Sequence, residues 1–228
     1  MKLLIIIPAY NEEANIGKVV ENIKMNYPQY DYIVVNDGSR DMTSGICHEN
    51  GYDILSLPIN LGLAVAFQTG IRYAWLNDYD CVVQLDADGQ HLPNYIGPML
   101  EELQKGNDIV IGSRFLMKAK PKSLRMLGSI MISRAIRLTT GVKLTDPTSG
   151  MRMFNHNMIR EFAENINYGP EPDTISFLLK QGVKISETAV EMHERLGGKS
   201  YFNAVKSIEY MFHMLLSILV VQNFRVRY

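Results

Sequence analysis

The sequence predicts an α/β fold built on a mostly parallel central sheet with helices on both faces. Its first half alternates short runs rich in β-branched residues with amphipathic stretches of helical length, which is the pattern of consecutive βαβ units. The 228 residues are 46% hydrophobic and 21% charged, as is typical of one globular domain with a substantial buried core.

The predicted elements follow in chain order as strand 3–8, helix 13–26, strand 32–36, helix 43–50, strand 53–57, helix 63–77, strand 81–85, helix 92–105 and strand 108–112. The first strand is an apolar run that turns polar after Pro8 and lacks a cleavage-site pattern, so we interpret it as a strand rather than a signal peptide. The fourth strand, Cys-Val-Val-Gln-Leu, has the apolar and β-branched character of a central strand. Beyond residue 112 the strict alternation fades.

We expect a single domain with three parts, which are a nucleotide-sugar-binding half (1–115), an acceptor-side half (116–205) and an apolar C-terminal helix (206–228). The sequence contains no internal repeat or Gly/Ser-rich linker that would separate them. The formal net charge of −1 gives no general electrostatic reason to expect a nucleic-acid partner. The two cysteines, Cys47 and Cys81, lack the spacing of a zinc or redox site, and a reducing cytoplasm fits them best.

Polar residues follow four of the predicted strands. In open parallel sheets ligands bind outside the carboxyl ends of the strands, so these exits are the first candidates for a site. Single exits of this kind are also ordinary turns and helix caps, and the four together favour a binding site. They read Pro-Ala-Tyr-Asn-Glu from Pro8, Asn-Asp-Gly-Ser from Asn36, Asp-Ala-Asp-Gly-Gln from Asp86 and Gly-Ser-Arg from Gly112.

Asp86 and Asp88 are two residues apart on an extended segment, so their carboxylates can point to the same side. Two converging carboxylates repel each other unless a cation lies between them, and hard oxygen ligands beside a phosphate select Mg²⁺ or Mn²⁺. Gln90 can add a carbonyl oxygen to this set. Asp86 can instead bind the ribose hydroxyls of a nucleotide. The alternative to a metal site for the whole motif is a turn with a purely structural role.

Six motifs occur along the chain in this order: Pro-Ala-Tyr-Asn-Glu-Glu, Val-Val-Asn-Asp-Gly-Ser-Arg-Asp, Asn-Leu-Gly, Asp-Ala-Asp-Gly-Gln-His, Gly-Ser-Arg and Asp-Pro-Thr-Ser-Gly-Met-Arg. The series resembles family 2 glycosyltransferases of the GT-A fold. Within that family it most resembles the dolichyl phosphate mannose synthase group and its bacterial relatives. The resemblance runs from about residue 3 to about residue 199. It implies an inverting transfer from a nucleotide-diphosphate sugar. It also implies that Asp86, Asp88 and Gln90 hold the metal and diphosphate, and that the base and ribose are surrounded by Pro8, Tyr10, Glu12 and Asp37. Asn36 departs from the family pattern, in which that position is acidic.

Basic residues are expected to neutralise the leaving diphosphate and to bind an anionic acceptor, since positive charge becomes more useful toward the transition state. An arginine of this kind, taken alone, can instead be an ordinary solvated surface residue. The candidates are Arg114, Arg125, Arg134, Arg152, Arg195 and Lys199. A basic stretch with Lys118, Lys120 and Lys122 can close over a phosphate or remain solvated.

The acceptor side centres on Gly-Pro-Glu-Pro-Asp before a helical run at 174–180. By spacing, Glu171 lies where relatives that glycosylate a hydroxyl carry their base, and Asp173 matches the glutamate of the mannose synthase group. Either residue can instead be a helix N-cap. Asp146 is a further acceptor-side candidate, with a turn as its alternative.

The apolar C-terminal segment 208–221 is shorter than the roughly 20 apolar residues that cross a bilayer. It can pack on the domain, bind a second copy, or attach shallowly to a membrane with the arginines after it at lipid headgroups. We therefore expect a cytoplasmic protein, for which the inner face of the cell membrane is one possible location.

The predicted function is transfer of a hexose-type sugar to a polyprenyl phosphate or a lipid-linked saccharide of the cell envelope. A soluble or polymeric glycan hydroxyl is the alternative acceptor. A catalytically silent module that binds nucleotide or glycan is the alternative from another class, and it predicts broken metal ligands. The acidic pair at Asp86 and Asp88 looks intact.

Overall fold

The structure is a computed structural model, and it describes residues 1–121, 124–165, 169–193 and 204–224. In this part of the chain seven strands form one sheet: β1 Leu3–Ala9, β2 Asp31–Asn36, β3 Ile54–Ser56, β4 Cys81–Gln84, β5 Ile109–Ser113, β6 Arg152–Asn155 and β7 Ile185–Ala189. The helices described are α1 Ile16–Asn26, α2 Thr43–Glu49, α3 Leu63–Leu76, α4 Ile96–Gln104, α5 Leu124–Thr140, α6 His156–Glu164, α7 Pro172–Lys180 and α8 Ala204–Leu219.

The strand order is β3-β2-β1-β4-β6-β5-β7, and every neighbouring pair is parallel except the two pairs that contain β6. The predicted mostly parallel sheet is confirmed. Because β1, β2, β4 and β5 run in the same direction, their carboxyl ends meet at one edge of the sheet. The antiparallel β6 begins at that edge, so its first residue joins the same group of side chains.

Two apolar layers cover the sheet. On one face Ile5, Ile7 and Val83 pack against α1, α2 and α4. On the other face Ile6 and Val82 pack against α3, α5, α6 and α7, and Ile218 of α8 joins this layer. The alternation of strand side chains between the two layers explains why β1 and β4 consist almost entirely of buried residues.

Helix α1 begins at Ile16, three residues later than the sequence predicts. The backbone N–H groups of Glu12 and Glu13 donate to Thr43 Oγ1 (2.8 Å) and Asp41 Oδ2 (3.1 Å). These bonds to the segment after β2 take the place of a first helical turn, because the backbone is already satisfied by partners from the neighbouring loop.

Helices α5 and α8 lie against each other, and Gly128 marks their closest approach. A Cβ atom at Gly128 would lie 1.4 Å from the sulfur of Met211. The pair thus needs a residue without a side chain at this position. Within the described residues, no helix combines the length and the apolar character needed to cross a membrane.

Candidate active site

A cavity of about 220 Å³ opens at the sheet edge where the predicted motifs converge. Its lining comes from the exit of β4, the start of β6, the exit of β5 and the facing surfaces of α5, α7 and α8. The residues around it are Leu63, Gln84, Asp86, Arg114, Met126, Ser129, Ile132, Thr148, Ser149, Gly150, Arg152, Pro170, Glu171, Tyr210 and Met211.

The exits of β1 and β2 are joined by hydrogen bonds. Asn11, which has a positive φ of 54°, donates its N–H to Ser39 Oγ (2.9 Å) and accepts from the Arg40 N–H at its Oδ1 (2.9 Å). The carboxylate of Glu12 accepts from Asn15 Nδ2 (2.6 Å). Pro8 and Tyr10, which the resemblance places beside the nucleoside, are half-buried at this edge. The sequence analysis did not single out Asn11, whose conformation joins the two loops.

Asp37 is buried and holds the loop before α3. Its Oδ1 accepts from the Leu61 N–H (2.8 Å), and its Oδ2 accepts from the Gly62 N–H (2.8 Å) and Asn60 Nδ2 (3.0 Å). The predicted contact with a nucleoside would be additional to these three bonds.

Gly38 lets the turn after β2 lie close to the loop before α3. It adopts a φ of 63°, and a Cβ at this position would lie 2.4 Å from the Ile59 carbonyl carbon. The neighbouring Asn36 accepts from the Ser39 N–H at its Oδ1 (3.1 Å) and donates to Ser56 Oγ (3.2 Å). Asn36 therefore shapes the turn after β2.

The two aspartates of the β4 exit differ in environment. Asp88 is buried, and its Oδ1 accepts from the Gln90 N–H (3.0 Å). The Asp86 side chain is 37% exposed; its Oδ1 accepts from Gln84 Nε2 (3.2 Å), and its Oδ2 lies 3.6 Å from His91 Nδ1. His91 also accepts the Asp86 N–H at Nδ1 (2.9 Å), which fixes the turn.

These residues fit a divalent cation that is shared with a ligand. No set of three His, Cys, Asp or Glu side chains converges as a metal site within the described residues. Mg²⁺ is commonly held by only one or two carboxylates together with substrate phosphates, and Asp86 and Asp88 supply that number. Gln90 donates from Nε2 to the His193 carbonyl oxygen (3.4 Å), and the use of its side-chain oxygen as a metal ligand stays a prediction.

Arg114, at the exit of β5, forms a bidentate ion pair with Asp146. Nε and Nη2 donate to the two carboxylate oxygens at 2.6 and 2.8 Å, and the Asp146 side chain has no exposed surface. The Arg114 N–H (3.2 Å) and Thr148 Oγ1 (3.1 Å) complete the environment of the carboxylate. The carboxylate of Asp146 is thus engaged by Arg114 and Thr148, and its role as an acceptor ligand stays a prediction. Its carboxylate orients Arg114 toward the cavity.

Arg152, the first residue of β6, is almost fully buried in the cavity wall. Nε donates to the Ser149 carbonyl (2.9 Å) and Nη2 to the Pro147 carbonyl (2.7 Å). Burial lowers the pKa of this guanidinium, and the charge of Glu171 is the largest effect in the opposite direction. Arginine nevertheless stays charged at neutral pH, so the cavity wall contains a fixed positive charge.

Glu171 lines the cavity at the N-cap position of α7, but its side chain makes no capping bond. Its Oε2 instead accepts a short hydrogen bond from the Tyr210 hydroxyl of α8. Burial and then the charge of Glu171 raise the pKa of Tyr210 well above its ordinary value. Tyr210 therefore remains a neutral donor to Glu171 at physiological pH.

Asp173 makes structural hydrogen bonds at the start of α7, and its catalytic role stays a prediction. It lies in the first turn of α7, and its Oδ1 accepts from the Thr174 N–H (2.8 Å). Its Oδ2 accepts from Ser217 Oγ (2.7 Å) and Gln222 Nε2 (3.1 Å), so the carboxylate attaches the end of α8 to α7. It does not line the cavity.

The remaining predicted basic residues divide into two groups. Arg134 is exposed on α5 and does not line the cavity, so the structure does not support its prediction as a substrate ligand. Arg195 and Lys199 lie outside the described residues, and Arg125 lies in α5 with a side chain that is not described.

Lys120 has a position suited to binding an anion. Its Nζ donates to Ser129 Oγ (2.9 Å) of α5, and Ser129 Oγ lies 3.3 Å from Thr148 Oγ1 in the cavity wall. Burial lowers the pKa of the Lys120 ammonium. The sequence analysis identified the basic stretch, but it missed Ser129, Thr148, Gln84 and Tyr210, which come from elements distant in the chain.

Comparisons with known proteins agree with this geometry. Residues 4–162 match the family described as glycosyl transferase family 2. The chain is 30% identical over 213 residues to the undecaprenyl-phosphate mannosyltransferase of Micrococcus luteus, covering 88% of this chain and 87% of that protein. It is 26% identical over 224 residues to the polyprenol monophosphomannose synthase of Mycolicibacterium smegmatis, covering 92% of this chain and 84% of that protein.

The fold is shared with a solved glycosyl-transfer enzyme. The structure of glucosyl-3-phosphoglycerate synthase from Mycobacterium tuberculosis with Mn²⁺, UDP-glucose and phosphoglyceric acid superposes with a TM-score of 0.67. The two chains are 19% identical, and the match covers 99% of this chain and 81% of the other.

Proposed function

The chain belongs to glycosyl transferase family 2 and has the GT-A fold that its sequence predicts, and from this premise we propose that it transfers a sugar from a nucleotide-diphosphate sugar to a polyprenyl phosphate. The observation that carries the proposal is a cavity whose lining combines the carboxylate of Asp86 with arginine and hydroxyl side chains. The metal ion that accompanies the donor diphosphate needs a carboxylate. The phosphates of the donor and of an anionic acceptor need cations and hydroxyls.

The donor would bind at the exits of β1, β2 and β4. Asp86 and Asp88 would hold Mg²⁺ or Mn²⁺, which would supply positive charge to the leaving diphosphate. Arg114 adds a second positive charge that Asp146 holds in a fixed orientation. A preoriented cation of this kind stabilises developing negative charge without reorganising during the reaction. We propose that Arg114 acts on the leaving group in this way.

The acceptor phosphate would bind between α5 and the 148–152 segment. Lys120 supplies an ammonium donor, and Ser129 and Thr148 supply hydroxyls within reach of one another. A phosphate monoester is already an anion and attacks without a strong base. Glu171, by contrast, already accepts the Tyr210 hydroxyl at Oε2, so only its Oε1 is left to act as a base for a hydroxyl acceptor. Both features favour a lipid phosphate over a glycan hydroxyl.

Transfer of radiolabelled sugar from UDP-glucose and GDP-mannose into undecaprenyl phosphate tests this proposal. We expect organic-extractable label that depends on Mg²⁺ or Mn²⁺. Lys120→Met should reduce lipid labelling by about 10- to 100-fold, because one charge-assisted hydrogen bond to the acceptor is lost. It should leave donor hydrolysis in the absence of acceptor near the wild-type rate.

Lys105→Met is the matched control, because Lys105 is an exposed lysine at the end of α4 that pairs only with Glu102 among the described residues. It should label lipid at the wild-type rate. Label that enters only soluble glycans, or equal lipid labelling by Lys120→Met and wild type, would contradict the proposed acceptor.

We further propose that the outer surface of α5 and α8 lies on the membrane that contains this acceptor. Met126 and Met211 line the cavity, and the adjacent Leu127 and Phe212 are 53% and 66% exposed. Both helices thus present apolar side chains to the cavity and to the outside of the protein. The other exposed members of this surface are Met131, Leu138, Leu216, Leu219, Val220, Val221 and Phe224. Such a surface suits shallow insertion among lipid headgroups, to which a polyprenyl phosphate presents its phosphate.

Flotation with vesicles of phosphatidylglycerol and phosphatidylethanolamine tests the membrane contact. The double variant Phe212→Ser/Phe224→Ser should lose most vesicle binding, because two large apolar side chains no longer enter the bilayer. The control Leu76→Ser alters a leucine that is 79% exposed at the end of α3, and it should float like wild type. Unchanged flotation of the double variant, or its conversion of a dimer to a monomer without effect on flotation, would contradict membrane contact.

A further inference from the structure

Two buried polar residues lie side by side at the bottom of the cavity. Gln84 ends β4 and Arg152 begins β6, and they are directly opposite each other in the antiparallel pair. Side chains at opposite positions share a face of the sheet. The next positions on that face, Val82 and Phe154, are apolar and fully buried. The apolar pattern of this face is thus interrupted by a polar pair where β4 and β6 reach the cavity.

Each of the two side chains has one atom without a hydrogen-bond partner among the described residues. Gln84 donates from Nε2 to Asp86 Oδ1 (3.2 Å), but its buried Oε1 accepts no hydrogen bond from the described residues. Arg152 uses Nε and Nη2 on backbone carbonyls, while its buried Nη1 has no partner in the same part of the chain. A buried polar atom without a partner is costly, so two such atoms in one cavity wall indicate a polar ligand group.

The chemistry of the two atoms restricts that group. Arg152 Nη1 only donates, and Gln84 Oε1 only accepts. A phosphate oxygen would satisfy the arginine and leave the glutamine without a donor. A metal cation would suit the glutamine oxygen and be repelled by the guanidinium. A hydroxyl accepts one hydrogen bond and donates another, so it satisfies both atoms.

We propose that Gln84 and Arg152 form a subsite that binds one hydroxyl of the hexose carried by the donor. This inference rests on the proposed function. A polyprenyl phosphate has no alcohol group, and the ribose of the donor is expected beside Pro8, Tyr10, Glu12 and Asp37, so we assign the hydroxyl to the transferred sugar. The bond from Gln84 to Asp86 places the subsite directly beside the residue that would hold the donor diphosphate. The pair would therefore contribute to the choice of sugar.

Binding of modified donors tests the subsite in the wild-type protein. UDP-glucose and GDP-mannose are compared with their 2-, 3-, 4- and 6-deoxy and fluoro analogues in competition experiments with Mn²⁺. We expect one position at which both changes weaken binding by about 10- to 100-fold, because hydrogen bonds to a buried amide and a guanidinium are lost. Fluorine can accept weakly but donates nothing to Gln84.

Gln84→Met keeps the length of the side chain and removes the acceptor. At the sensitive position, this variant should bind the hydroxyl and fluoro donors with affinities within about threefold of each other, since the bond to Oε1 is gone. Gln222→Met is the matched control, because Gln222 is also buried with an Oε1 that has no hydrogen-bond partner among the described residues, and it lies outside the cavity. The control should keep the discrimination of wild type.

Equal binding of parent and analogue donors by wild type would overturn the subsite, as would unchanged discrimination in a folded Gln84→Met variant. Water would then serve the two atoms. A protein that binds no nucleotide or nucleotide sugar would instead contradict the proposed function itself.

Discussion

Replacing Asp88 with alanine is expected to reduce sugar transfer by about 10³-fold or more, because it would remove a proposed direct ligand of the divalent cation together with its charge. The same change should abolish the Mn²⁺-dependent part of the thermal stabilisation by UDP or GDP, since ligand stabilisation grows with the logarithm of the ligand concentration relative to its Kd and vanishes when binding is lost. Measurement of transfer and of melting temperature with Mn²⁺ or EDTA distinguishes loss of metal from loss of nucleotide.

Asp88 also accepts the Gln90 N–H, so alanine at this position can shift the turn. Asp88→Asn retains an acceptor for that bond and removes only the charge. We expect it to be as inactive as the alanine variant. Asp53→Ala, at an exposed aspartate before β3, controls for the loss of one carboxylate and should behave as wild type. A metal response in Asp88→Asn equal to that of wild type would refute Asp88 as a metal ligand.

The location of the donor half is accessible from the sequence, because it depends only on which motif follows which strand. Each motif directly follows a strand, and parallel strands bring their carboxyl ends together regardless of details elsewhere. Asp86 accordingly lines the cavity, and the buried Asp88 follows it in the same turn after β4. The strand assignments also follow from runs of apolar residues such as those of β1, which are buried on both faces of the sheet.

The acceptor half is less predictable because it depends on contacts between distant residues. Glu171 meets Tyr210 across 39 positions of sequence, and Arg114 meets Asp146 across 32. Neither spacing follows a helical or strand repeat. The sequence identified both acidic residues, but only the packing of α8 and of the 146–149 turn determines which groups they bind.

Gln84 illustrates a different limit. In the sequence it lies within a run that predicts a buried central strand, and that prediction is confirmed. Its importance comes from the neighbouring strand, because the antiparallel β6 places Arg152 opposite it. The sequence analysis did not identify β6, since Arg-Met-Phe-Asn is short and follows the point at which the strand-helix alternation fades.

Asp146→Asn is expected to lower the free energy of unfolding by about 3 kcal/mol, the lower end of the cost of breaking a buried ion pair. The carboxylate is fully buried and accepts hydrogen bonds from three atoms of Arg114, two of them at 2.6 and 2.8 Å. An asparagine amide would direct its own N–H groups at one of these donors. Because the Arg114 side chain is 23% exposed, water compensates part of the loss. Urea unfolding followed by circular dichroism measures the change.

The same variant should reduce sugar transfer by about 10- to 100-fold under conditions in which it remains folded, because Arg114 is no longer held toward the leaving diphosphate. Glu191→Gln is the matched control, since it neutralises the carboxylate of an exposed ion pair with Lys118. Exposed pairs contribute little to stability, and we expect its urea midpoint to equal that of wild type. If Asp146→Asn were folded as stably as wild type and fully active, Asp146 would have no positioning role, and the orientation of Arg114 would have to come from Thr148 and the backbone alone.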